Sequence, residues 1–160
     1  MFTPLKTITG QEINRATIAN SATLQVGEVI IPSGAQVTTG KDTTAGLLGI
    51  VIGIVGDRGK VLEVDSFTAE SDNVTVDKVQ VDYFPLFIPT EIRAELDADA
   101  ETTTGSAGHG NFAVDDTGLL LDESTYTAFG TVAAKQFFSF GTVDGSAREV
   151  TCRYIRNSVI

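Results

Sequence analysis

Residues 47–65 read LLGIVIGIVGDRGKVLEVD, and the fold turns on how this stretch is read. Residues 47–55 are aliphatic except for Gly49 and Gly53. Two glycines and a row of β-branched residues are poor helix material, so the run is read as a strand. Side chains alternate across a strand, which groups Leu48, Ile50, Ile52 and Ile54 on one face. The other face holds Leu47, Gly49, Val51, Gly53 and Val55, its glycines leaving room for a neighbouring backbone or a large side chain. Gly56-Asp57-Arg58-Gly59 is a tight turn. On the return, Leu62 and Val64 are expected to point inward and Glu63 and Asp65 outward. The first strand is therefore central and the second lies nearer an edge.

The same pattern extends in both directions at lower intensity. In 22–39, Leu24 and Val26 alternate with polar residues, 29–31 is a short strand, and Pro32 marks its end because proline cannot donate to a ladder. Residues 73–84 (NVTVDKVQVDYF) alternate with a slip at Asp77-Lys78, the mark of a bulge or a turn between two strands. Ile92, Ala94 and Leu96 alternate with Arg93, Glu95 and Asp97 as a half-buried strand. Shorter strands are expected at 112–114, 119–121 and 130–134. Residues 136–143 and 149–155 flank Asp144-Gly145-Ser146, a strong hairpin signal. No segment holds a helical apolar period over ten residues.

Short strands with turn chemistry between them make this an all-β chain of one domain, a jelly-roll-like β-sandwich or a small β-barrel. Residues 1–20 mix single apolar residues with turn formers and read either as an irregular edge segment or as an extended N-terminal arm that reaches a neighbouring subunit, ahead of an all-β domain at 21–160. Phe2, Pro4, Leu5 and Ile8 are then the residues expected at an interface. Truncation of the first dozen residues is expected to abolish interface binding and spare the fold.

Composition narrows the function classes. A net charge of −10 argues against a nucleic-acid groove, which draws its affinity from clustered Lys and Arg. The longest apolar run is about half of what a membrane-spanning helix needs, and the N-terminus lacks the features of a signal peptide. The chain is expected to be made in a cytoplasm, with no membrane partner. One cysteine, Cys152, leaves no intrachain disulfide and reads as a small buried hydrophobe.

Motifs for chemistry are absent or broken. A serine triad needs a histidine base, and the single histidine, His109, sits among glycines in what reads as a loop. Gly40-Lys41 fails the phosphate-loop pattern, with Ala35 and Asp42 where Gly and Ser or Thr are required. Asp97, Asp99 and Glu101 have the spacing that opens an EF-hand loop, but Thr102 and Gly108 break it, leaving at most a weak calcium site. No cofactor is expected, and the chain is not expected to be an enzyme. A hydrolase using dispersed carboxylates stands as a minor alternative.

The order of segments carries a resemblance. From Val74 the chain runs VTVDKVQVDYF, IRAELDAD, the loop GSAGHGNFAV, then TGLLLDEST, QFFSFGTVD and EVTCRY. Upstream, VGEVIIPSG precedes AGLLGIVIG. This resembles the decoration (cement) proteins on the heads of tailed bacteriophages. The resemblance implies a non-enzymatic virion protein on the outer capsid surface, assembled in the host cytoplasm. It further implies a homotrimer that binds the major capsid protein and stabilises contacts between its subunits. The alternative is a tail- or fibre-associated module that binds a host surface or glycan, against which the absence of Trp counts.

Overall fold

The computed structural model describes residues 1–6, 13–41, 45–86, 91–96, 108–114, 120–122, 135–144 and 146–157. Within them the chain is all-β and forms two six-stranded antiparallel sheets and a two-stranded ribbon, with one 3₁₀ turn and no closed barrel.

The first sheet contains β1 (Phe2–Lys6), β10 (Glu91–Glu95), β11 (Gly108–Val114), β12 (Leu120–Asp122), β13 (Lys135–Asp144) and β14 (Glu149–Asn157), in the order β1-β10-β14-β13-β11-β12. The second contains β2 (Asn14–Thr17), β4 (Val29–Ser33), β5 (Gln36–Thr39), β6 (Gly49–Val55) and β9 (Gln80–Pro85), in the order β2-β9-β6-β4-β5, with β7 (Val61–Leu62) beside β6. It curls until its margins touch at one bridge, Ile18 to Val37, where the Ala19 N–H donates to the Val37 carbonyl at 2.9 Å. The ribbon pairs β3 (Thr23–Gln25) with β8 (Ser66–Thr68).

The sheets stack as a sandwich around β6. Ile50 and Phe84 join Phe2, Ile92, Ala94, Val150 and Cys152 in a core between the two sheets. Val51, Ile54, Val81 and Tyr83 face the opposite way, into a second core with Leu24, Val37 and Val79. Each fully buried aliphatic side chain contributes roughly 1.5–3 kcal/mol, and β6 makes this contribution on both faces. The central position expected for this strand is observed.

Its grouping of faces is not. Ile50 and Ile54 lie in different cores, because Val51 pairs with Tyr83 and Gly53 with Asp82, so that Ile52 is an extra residue. This bulge exchanges the faces in mid-strand. Val64 is exposed rather than inward, since β7 ends at Leu62. The slip at Asp77-Lys78 also has another origin. Residues 71–77 are turn, and the fully buried Asn73 holds them in place. Its Nδ2 donates to the carbonyls of Ile18 (2.8 Å) and Val79 (3.1 Å), and its Oδ1 accepts from the Val79 N–H (2.9 Å).

The half-buried strand at 91–96 and the hairpin at 144–149 form as expected. Asp144 Oδ1 accepts the N–H groups of Ser146 and Ala147, each at 3.0 Å, which sets the turn. Residues 130–134 lie outside the described residues. Pro32, expected to end a strand, lies inside β4 opposite Val37. Gly40 donates to Val29 across the same ladder, so hydrogen-bonded pairs alternate in a phase that turns the Pro32 nitrogen away from β5. On that side β6 pairs only with Val29 and Ile30, and no bond is lost.

Candidate interaction surface

The residues expected at an interface are placed in three different ways. Phe2 is 2% exposed and packs in the core between the sheets, opposite Ala94. Pro4 pairs opposite Ile92 in the same strand and is half-buried. The side chain of Leu5 and the whole of Ile8 lie outside the described residues. Asn14 to Thr17 pair with β9 in the other sheet. The described parts of 1–20 are therefore built into both sheets, which corrects the expectation of a separable arm. Truncation of the first dozen residues removes a core phenylalanine and the edge strand β1.

The β1 edge is also closed to strand addition. The Glu95 N–H donates to the Met1 carbonyl, so Met1 and Thr3 direct their backbone groups at β10 and Phe2 and Pro4 direct theirs outward. The Phe2 N–H is bound to the Gly27 carbonyl at 2.9 Å, Pro4 has no N–H, and a register shift follows it. Proline and bulges are the usual protections of an exposed edge.

Among the described residues, the solvent face of this sheet at β10 and β14 carries matched charges. Arg93 lies 3.6 Å from Glu149 and Arg153 lies 3.7 Å from Glu91. In the second sheet Arg15 reaches Asp82 directly opposite it, with Nε and Nη2 donating to the two carboxylate oxygens at 2.6 and 2.9 Å. This bidentate pairing raises the pKa of the Arg15 guanidinium. Surface pairs of this kind orient side chains more than they stabilise.

The buried Glu28 and Tyr154 have structural partners. Glu28 is 5% exposed, and its carboxylate accepts from the Gln25 N–H (3.0 Å) and the Thr39 hydroxyl, with Lys41 Nζ 3.7 Å away. Lys41, the lysine of the broken phosphate-loop pattern, is thus directed at a carboxylate. The Tyr154 hydroxyl accepts the Leu47 N–H at 3.1 Å, joining the two sheets, and burial raises its pKa. Cys152 is buried opposite Ile92, and desolvation pushes its thiol up. Such a thiol is held in its unreactive, protonated form.

The backbone of His109 lies in β11 opposite Ser139, not in a loop. Asp97, Asp99 and Glu101 fall outside the described residues. Among the described residues, no three His, Cys, Asp or Glu side chains approach closely enough to hold a metal ion. No described helix is long and apolar enough to cross a membrane.

Sequence reading missed β8 and Asn73. β8 is three residues long, too short for a period, and its signal is the alternation of Ser66, Phe67 and Thr68. Asn73 is hidden by the regular valines that follow it. Comparison with known proteins identifies no matching family, no similar curated protein and no similar solved structure.

Proposed function

We propose that this chain is a decoration protein of a tailed-phage head, bound to the outer surface of the shell and bracing neighbouring major capsid subunits. The observation that carries this reading is the fate of the segments on which the resemblance rests. The described parts of 91–157 supply five adjoining strands of one sheet, with β1 as the sixth. A sandwich whose outer face at β10 and β14 carries matched charges suits a rigid element repeated over a symmetric shell. Its action is mechanical: many weak contacts, multiplied by symmetry and avidity, resist expansion pressure. The contacts need not involve Phe2, which is committed to the core. A homotrimer and a location on the virion belong to the same proposal.

Co-sedimentation of the purified chain with expanded, undecorated shells tests it, alongside the mass of the chain in solution. Saturable pelleting at a fixed ratio to coat subunits, with a rise in the temperature at which the shells rupture, is the expected result. A folded protein that stays in the supernatant at saturating concentration overturns the proposal and favours a tail-associated module.

A further inference from the structure

The edges of this molecule are not treated alike. On β1, one outward N–H is bound and the next residue able to point outward is a proline. On β3, the Gln25 N–H is capped by the Glu28 carboxylate. The margins of the curled sheet meet at Ile18 and Val37. The outer edge of β8 has no such protection. Its ladder with β3 is bonded at Val26 to Asp65 and at Ala69 to Ala22, which fixes the alternation of the pairs between them. Ser66 and Thr68 therefore direct their N–H and C=O groups away from β3. Among the described residues nothing pairs with that side of the strand. Both residues are exposed, and Phe67 between them is only half-buried at the margin of the second core.

Charge says what can occupy this edge. No Lys or Arg falls between Lys60 and Lys78, whereas Glu63 and Asp65 precede β8 and Glu70 and Asp72 follow it. All four are exposed, with no ion pair among the described residues. A second copy of the same edge would set carboxylates against carboxylates in either strand direction, and like charges across strands are destabilising. We infer that the β8 edge is a strand-addition site for an extended segment of a partner protein with Lys or Arg on both sides of a short apolar-centred strand. Backbone bonds to Ser66 and Thr68 supply the pairing, a small apolar residue covers Phe67, and the flanking cations meet the four carboxylates. This inference is independent of the assembly in which the chain serves.

The probe is a capped heptapeptide, Lys-Lys-Thr-Val-Thr-Lys-Lys, titrated into the full chain with backbone amides followed by NMR and hydrogen exchange. The expected result is a shift and slowed exchange at Ser66 and Thr68. Affinity is expected to fall several-fold as salt is raised from about 50 to about 500 mM. A Glu-flanked version is expected not to bind. Thr68→Pro removes an outward donor without breaking the ladder to β3, and a loss of about tenfold in affinity is expected. If that variant does not fold, the same heptapeptide N-methylated along its pairing edge provides the equivalent test from the ligand's side. Unchanged Ser66 and Thr68 amides at millimolar peptide, or equal binding by the Glu-flanked or N-methylated peptide, overturns the inference. Concentration-dependent protection of the two amides without peptide assigns the edge to a second copy and overturns it as well.

Discussion

β6 and β10 are both strands in the interior of a sheet, yet they are built on different sequence rules. In β10 the burial alternates: Ile92 and Ala94 are dry, and Arg93 and Glu95 are wet. In β6 both faces are dry toward its ends, and only Ile52 and Gly53 at the bulge are partly exposed. The difference lies in what covers each sheet. The outer face of the first sheet meets water, so every second residue of β10 is free to be charged. The second sheet has the first sheet on one side and the β3–β8 ribbon with the 69–79 segment on the other. Along most of β6 both sides are covered, so this strand has no face left for polar residues.

The layering predicts that truncating a side chain on either face of β6 is damaging, whereas in β10 only the face of Ile92 and Ala94 is sensitive. Ile54 is fully buried in the second core, beneath the ribbon. Ile54→Ala is expected to cost about 3–4 kcal/mol in urea unfolding, through lost transfer energy and the cavity left behind. A cost below about 1 kcal/mol would mean that the ribbon does not cover this face, and β6 would then differ little from β10.

The two glycines of β6 divide the same comparison more finely. A Cβ on Gly49 would run into the ring of Tyr83 and lie 2.6 Å from the Phe84 carbonyl oxygen, whereas one on Gly53 meets nothing within 4 Å. Gly49→Ala is expected to destabilise by about 2–3 kcal/mol through overpacking. Gly53→Ala should stay within about 0.5 kcal/mol of the parent or gain slightly, since alanine restricts the unfolded chain more than glycine does. Equal effects at the two sites would show that close approach is not what fixes Gly49. The expectation that both glycines accommodate a neighbour thus holds for Gly49 alone.

These contrasts also explain how much could be read from the chain. β10 and the β13–β14 hairpin were legible because one wet face imposes a period of two and Asp144 has a turn to cap. The centrality of β6 was legible because an unbroken apolar run fits only a strand covered on both sides. Its bulge was not, because an extra residue inside an all-apolar run leaves no trace in polarity. The valines at 74 and 76 imitate a strand, and only the three hydrogen bonds of Asn73 reveal a pinned turn. Phe2 was recognisable as an apolar residue that needs cover. Whether its own chain or a partner supplies that cover depends on a pairing with Ala94 more than ninety positions away, which periodicity does not encode. For the same reason the open β8 edge escaped notice. An edge is defined by what fails to pair with it.

A pH titration asks whether the inner face beside β10 is as dry as the surroundings of β6. Cys152 lies on β14 directly opposite Ile92, and burial raises its thiol pKa above the ordinary value near 8.5 that it has in an unfolded chain. Above that pH the unfolded chain loses the proton while the folded chain keeps it, so the folded state binds more protons and stability falls as pH rises. The contribution is complete below about pH 8 and declines by at most about 1.4 kcal/mol per pH unit above it. Cys152→Ala removes this titration, so parent and variant should differ by a roughly constant amount up to pH 8. Their stabilities should then converge between pH 8.5 and about pH 10. Tyr154, also raised by burial, adds a second decline of the same sign above about pH 10, and the variant should retain it. Urea midpoints measured at half-unit steps of pH resolve the two phases. Parallel curves across the thiol range would mean that water reaches Cys152, and the first sheet would then be wet on both faces at β14.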